Sequence, residues 1–151
     1  MIDAKGMAHT YVDSGCLRIN AESFPEKLKE IYTGIDQIIS EYQPQLAAVE
    51  QVFVKINVGG ALKLGQARGA AICACVMRSL EVGEYTPNQI KKAVVGRGHA
   101  NKEQIQHMVK AQLNLTGMPK ADAADALACA LCHAHTIFTM QRLVKKTYPV
   151  V

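Results

Sequence analysis

The sequence has 151 residues, of which 49% are hydrophobic and 20% charged, and its formal net charge is +4. This length suits one domain with a sizeable core, and the composition excludes a chain that is disordered throughout. No apolar run is long enough to cross a membrane, and the first residues lack the pattern of a signal peptide, so we expect neither.

The predicted elements alternate between strands and helices, which is typical of an α/β domain. A strand, a turn at Ala4–Gly6 and a second strand over Tyr11–Ile19 open the chain. There follow a helix over Glu22–Tyr42, a buried strand over Leu46–Glu50, a helix over Val58–Leu80, a strand over Val82–Tyr85, a short helix from Pro87, a helix over Asn101–Leu115 and a helix from Ala121 towards Leu143. The glycines and alanines of the Val58–Leu80 helix predict close packing or dimerisation.

Two acids stand three residues apart at the start of the last helix, Asp122 and Asp125, among small apolar residues. Side chains at this spacing lie on one face of a helix, about one turn apart. Acids are also ordinary in a first helical turn, where they complement the helix dipole. From these residues alone, two solvated acids and a functional pair both stay open.

Positive charge is concentrated late in the chain. Between Lys91 and Lys120 the sequence has six basic residues and one acid, Glu103. A patch of this kind predicts a polyanionic partner, although a solvated basic face remains an alternative.

The five cysteines are odd in number and lie in apolar surroundings, which is typical of buried thiols in a reducing cytoplasm. The run Cys129-x-x-Cys132-His133 resembles a haem attachment motif, and with His135 it resembles a zinc site. The sequence offers no export signal for the first and no second ligand pair for the second. We therefore interpret these cysteines as core residues.

Four stretches together resemble the RuvC family of Holliday-junction resolvases. They are Ala48–Phe53, Ala61–Gly69, Lys102–Val109 and Ala121–Ala128, and the match runs in register from about Ser14 to His135. The resemblance implies a ribonuclease-H-like fold, with a mixed sheet flanked by helices, in a single domain over residues 1–151. It also implies a cytoplasmic homodimer, and the RuvA–RuvB branch-migration complex as a partner.

The resemblance implies an endonuclease that resolves four-way DNA junctions by paired symmetric nicks, using Mg²⁺ or Mn²⁺ and two ions in each site. Glu50, Asp122 and Asp125 match acids of the family's catalytic metal cluster. Clustered carboxylates suit this chemistry, because two ions can activate the attacking water and stabilise the leaving oxygen.

Three further residues match family positions that handle DNA. Lys91 and Lys102 correspond to basic residues, which would contact phosphates without reading sequence. Phe53 corresponds to an aromatic that contacts junction bases, and every base offers a face for stacking. A phenylalanine folded into the core is the alternative that the residues alone leave open.

One departure from the family pattern concerns the start of the chain. RuvC-like domains begin with a strand that bears another catalytic aspartate followed by Pro-Gly, and this sequence has no match to that segment. We expect the chain to lack the strand, and Asp3 receives no catalytic role. The alternative function is therefore a non-catalytic module, or an inactive short form, that binds junction DNA.

Overall fold

The computed structural model describes residues 1–51 and 58–147. Its elements are β1 (Ile2–Lys5), β2 (Ala8–Tyr11), α1 (Phe24–Tyr42), β3 (Leu46–Glu50), α2 (Val58–Met77), β4 (Glu81–Tyr85), α3 (Pro87–Val95), α4 (Lys102–Gln112) and α5 (Ala121–Thr147). The chain divides into two compact units: unit 1 comprises Met1–Cys16 and Pro87–Val151, and unit 2 comprises Leu17–Thr86. The single domain expected from the sequence stays a prediction.

Unit 1 opens with an antiparallel hairpin of β1 and β2, in which Lys5 pairs with Ala8. The turn between them needs Gly6, whose φ of +64° lies in the left-handed region that glycine enters without steric cost. The predicted second strand over Tyr11–Ile19 is wrong, because this two-residue turn starts the pairing at Ala8 and it ends at Tyr11.

Helices α3, α4 and α5 form the core of unit 1. The largest fully buried side chains are Leu127 and Leu131 on α5 and Val109 on α4. Ala124 and Ala128 are almost fully buried beside them, and their small size lets neighbouring backbones approach α5 closely. This packing fixes the first turn of α5 in place.

The start of α4 is held by a capping box. The side chain of Asn101 accepts a hydrogen bond from the Gln104 main chain at 2.8 Å, and Gln104 in turn accepts one from the Asn101 main chain at 3.0 Å. A Cβ at Gly98, three residues before Asn101, would meet Oδ1 of the exposed Asn88, so a larger residue there would require the Asn88 side chain to move.

Unit 2 packs α1 and α2 together and pairs β3 with β4. The two strands are parallel, with Leu46 opposite Glu81 and Glu50 opposite Tyr85. Arg78, just after α2, binds both carboxylate oxygens of Asp36 on α1, at 2.6 and 2.8 Å. The parallel pairing places the carboxyl ends of both strands at one edge. In the described residues, no helix combines the length and apolar character that a membrane crossing requires.

Candidate active site

Glu50 is the last residue of β3. The apolar run before it, from Leu46 to Val49, forms the strand, and the side chain of Glu50 is exposed at its end. The main chain here is firmly held, since Gln51 N donates to the carbonyl of Tyr85 at 2.8 Å and Nε of Arg68 donates to the carbonyl of Glu50 at 3.0 Å. An exposed carboxylate on a fixed strand end is suitable for binding a cation.

Asp122 and Asp125 lie in the first turns of α5, one turn apart. Asp122 is exposed and Asp125 half-buried, while Ala123 and Ala124 between them are buried in the core of unit 1. Neither carboxylate has a hydrogen bond or ion pair with any described residue. Two carboxylates without a partner among the described residues therefore lie at the beginning of the helix.

The carboxylate oxygens of the three predicted site residues are of the kind that a divalent ion such as Mg²⁺ prefers, together with water ligands. Asp122 and Asp125 belong to unit 1 and Glu50 to unit 2. Across residues 1–51 and 58–147, no three His, Cys, Asp or Glu side chains form a group that could hold a metal ion. The three-acid site thus stays a prediction, with the aspartate pair as the part whose geometry is described.

Lys91 and Lys102 both belong to unit 1. Lys91 is half-buried on α3, whereas Lys102 is exposed at the first position of α4, directly after the capping residue. Neither amine has an ion pair with a described acid. Both charges are consequently available to an external anion. Phe53 lies outside the described residues, so its predicted role stays a prediction.

Cys129 and Cys132 lie in the core of unit 1, as the sequence predicts, and His133 beside them is also buried. The burial expected for all five cysteines is wrong for Cys16, which follows β2 outside any helix or strand, and for Cys73, which lies on an exposed side of α2. Burial raises the pKa of the Cys132 thiol, so this thiol stays protonated and unreactive at neutral pH.

Arg68 and Glu84 are the functional candidates that sequence reasoning missed. Arg68 on α2 reaches the carbonyl of Glu50 and forms an ion pair with Glu84 on β4. The local signal was a single arginine within a run of glycines and alanines. Its partners are 18 and 16 residues away, so the pattern could not identify them.

Comparison with known proteins agrees with this architecture. Two solved structures are similar to this chain. The structure of Thermus thermophilus RuvC has a TM-score of 0.80 and 29% sequence identity, and the match covers 93% of this chain and 86% of that one. The structure of T. thermophilus RuvC in complex with Holliday junction substrate has a TM-score of 0.85 and 30% sequence identity, and the match covers 91% of this chain and 86% of that one. The fold is thus the ribonuclease-H-like α/β fold, which confirms the expected fold class.

Comparison of the sequence identifies the protein family within this fold class. The family model for the crossover junction endodeoxyribonuclease RuvC matches residues 1–133. The RuvC of Tolumonas auensis is 54% identical over 138 residues, covering 91% of this chain and 80% of that protein. The RuvC of Pseudoalteromonas atlantica is 49% identical over 150 residues, covering 97% and 87%. The chain belongs to the RuvC family.

Proposed function

We propose that this chain is a metal-dependent, structure-specific endonuclease that resolves four-way DNA junctions by paired symmetric nicks. The observation that carries the proposal is a pair of carboxylates, Asp122 and Asp125, which lie one turn apart at the start of α5 without an ion pair to any described residue, in a member of the RuvC family. The relatives that match most of the chain are named for this endonuclease activity, which supports the assignment.

Glu50, Asp122 and Asp125 would hold the metal, with Mg²⁺ as the ion, Mn²⁺ as a substitute and two ions in each site. Bound ions of this kind supply a deprotonated water and stabilise charge on the phosphate and leaving oxygen. The protein's own contribution is to present carboxylates on rigid elements. A strand end and a buried helix start both meet that need.

The substrate contacts proposed for this chain are phosphate contacts by Lys91 and Lys102 and stacking on a junction base by Phe53. A solved relative is described in complex with Holliday junction substrate, which supports junction DNA as the substrate. We further propose a homodimer, since two symmetric nicks require two active sites, and the RuvA–RuvB complex as a partner of that dimer.

The test measures nicking and metal binding together. In single-turnover assays with Mg²⁺, the protein should nick a synthetic four-way junction, and calorimetry should detect Mn²⁺ binding. Combining Asp122→Asn with Asp125→Asn should abolish both, because amides replace the charged ligands. Glu103→Gln is the matched control, an exposed acid in the first turn of α4, and it should change neither.

Two outcomes would contradict the proposal. Unchanged Mn²⁺ binding in the double variant would remove the aspartates from the site. Tight junction binding by the parent protein without any nicking would support the non-catalytic binding module instead.

A further inference from the structure

Arg68 connects α2 to the ends of both strands in unit 2. Its Nε donates a hydrogen bond to the main-chain carbonyl of Glu50 at 3.0 Å, and its Nη2 forms an ion pair with the carboxylate of Glu84. Glu84 is the penultimate residue of β4, and Glu50 is the last residue of β3. One guanidinium therefore holds two neighbouring strand ends.

The contact to Glu50 fixes a whole peptide group. The carbonyl of Glu50 and the N–H of Gln51 belong to the same trans peptide and point in opposite directions. The N–H donates to the carbonyl of Tyr85 at 2.8 Å, while the carbonyl accepts from Arg68 at 3.0 Å. Because both ends of the peptide plane are held, the ψ angle of Glu50 is fixed, and with it the direction in which its side chain leaves the strand.

The ion pair with Glu84 has a different purpose. The side chains of Arg68 and Glu84 are 21% and 48% exposed, and pairs this accessible to water contribute little to stability. A guanidinium, however, carries its donors in a rigid planar fork. When Glu84 binds Nη2, the planar guanidinium is fixed in orientation, and its Nε–H is directed at the carbonyl of Glu50.

We infer that Arg68, oriented by Glu84, is a positioning residue that holds the main chain at Glu50, and so sets the Cα–Cβ direction from which the Glu50 carboxylate reaches a metal ion. This inference rests on the proposed function, in which Glu50 is a metal ligand. It assigns Arg68 no contact with substrate or metal. Supporting groups behind metal ligands typically change metal affinity or activity by about 10–100-fold when they are removed.

The competing role for Arg68 is a direct phosphate contact, because a cation beside a nuclease site would attract DNA. The two roles differ in what a lysine can do. Lysine keeps the charge, but it is a point charge without the fork that reaches Glu50 and Glu84 together. Arg68→Lys should therefore behave like Arg68→Ala if Arg68 is a positioning residue, and like the parent if charge alone matters.

The experiment compares the parent with Arg68→Lys, Arg68→Ala and Glu84→Gln. Arg78→Ala is the matched control, because Arg78 also forms an ion pair within unit 2, but with Asp36 on α1 and not with a residue of β3 or β4. Four quantities are measured on the 151-residue chain and each variant of it: the exchange rate of the Gln51 amide by NMR, the Kd for Mn²⁺, the junction Kd without metal, and the single-turnover nicking rate.

We expect both Arg68 variants to exchange the Gln51 amide faster, to bind Mn²⁺ more weakly and to nick about 10–100-fold more slowly, with unchanged junction affinity. Glu84→Gln should show the same changes to a smaller extent, and Arg78→Ala should match the parent. In a Glu50→Gln background, Arg68→Ala should cause no additional loss, since Arg68 acts through Glu50.

The positioning role would be overturned if Arg68→Lys nicked junctions at the parental rate. It would also be overturned if Arg68→Ala lost junction affinity by the same factor as its nicking rate. Equal losses of nicking in Arg68→Ala and Arg78→Ala would overturn it as well, because they would reflect stability alone. A parent that neither binds Mn²⁺ nor nicks junctions overturns the proposed function and this inference with it. If the parent nicks junctions and Arg68→Ala nicks them at the parental rate, only the inference about Arg68 is overturned.

Discussion

His9 on β2 and His135 on α5 face each other in unit 1, with ring centroids 4.9 Å apart in an edge-to-face arrangement. His9 is half-buried, and its Nε2 has no hydrogen-bond partner among the described residues. Burial, with a smaller contribution from His135, lowers the pKa of His9 below its ordinary value of 6.5. The folded protein therefore favours a neutral His9.

This shift predicts a dependence of stability on pH. The unfolded chain protonates His9 at higher pH than the folded chain, so the free energy of unfolding is at its plateau above pH 6.5 and decreases as the pH falls from there through the lower folded-state pKa. His9→Gln should flatten the profile in this window. Urea unfolding at a series of pH values measures it, with His107→Gln, an exposed histidine of α4, as the control. Parallel profiles for parent and His9→Gln would contradict the assignment.

Lys91 and Lys102 permit a test of phosphate contact by salt dependence. Each alanine variant should weaken junction binding for all sequences and reduce the slope of log K against log salt by about one unit, because one fewer counterion is released. Lys29→Ala, an exposed lysine on α1, should leave the slope unchanged. If the slope stayed the same for both site variants, neither lysine would contact phosphate.

At the scale of elements, the sequence predicted those segments whose signals are local. The strand Leu46–Glu50 has the predicted bounds, because its apolar run ends at a charged residue and Pro44 precedes it. The start of α4 follows from Asn101 and Gln104, which together carry the signature of a capping box. Such signals involve residues three or four apart, so no tertiary information is needed to find them.

Helix ends were predicted less well. The helix predicted to reach Leu80 ends at Met77, and the helix predicted to reach Leu115 ends at Gln112. Ser79 and Asn114, with φ of 59° and 50°, reverse the chain in the left-handed conformation. That conformation is usually signalled by glycine, and neither position has one. The same limitation applies to Arg68, whose partners become its neighbours only after the strands and α2 pack.

At the scale of the whole molecule, one face of α2 is unusually apolar and exposed. Leu62 and Val76 are 64% and 56% exposed, and a Cβ atom at Gly65 or Gly69 would have no atom of another described residue within 4 Å, apart from its chain neighbours and the backbone of α2 itself. With the exposed Cys73, these residues are spaced along one side of the helix. Exposed apolar stripes of this kind commonly mark protein interfaces, and small residues allow two helices to approach closely. This face is our candidate for the two-fold interface of the proposed homodimer.

The interface predicts a specific change of assembly. Light scattering should give a dimer mass for the parent and a monomer mass for Gly69→Glu, because a charged side chain in the centre of the stripe would be buried without a partner. The substitution itself favours helix, since glycine costs about 1 kcal/mol relative to good helix formers, so circular dichroism should show no loss of helix.

Gly15→Glu is the matched control, a glycine outside α2 that also has open space around its Cβ, and it should remain a dimer. A monomeric parent at high protein concentration would contradict the dimer, and a dimeric Gly69→Glu would exclude this face as its interface. A monomer that still folds should nick junctions singly, because coordinated paired nicking requires two sites joined by the same interface.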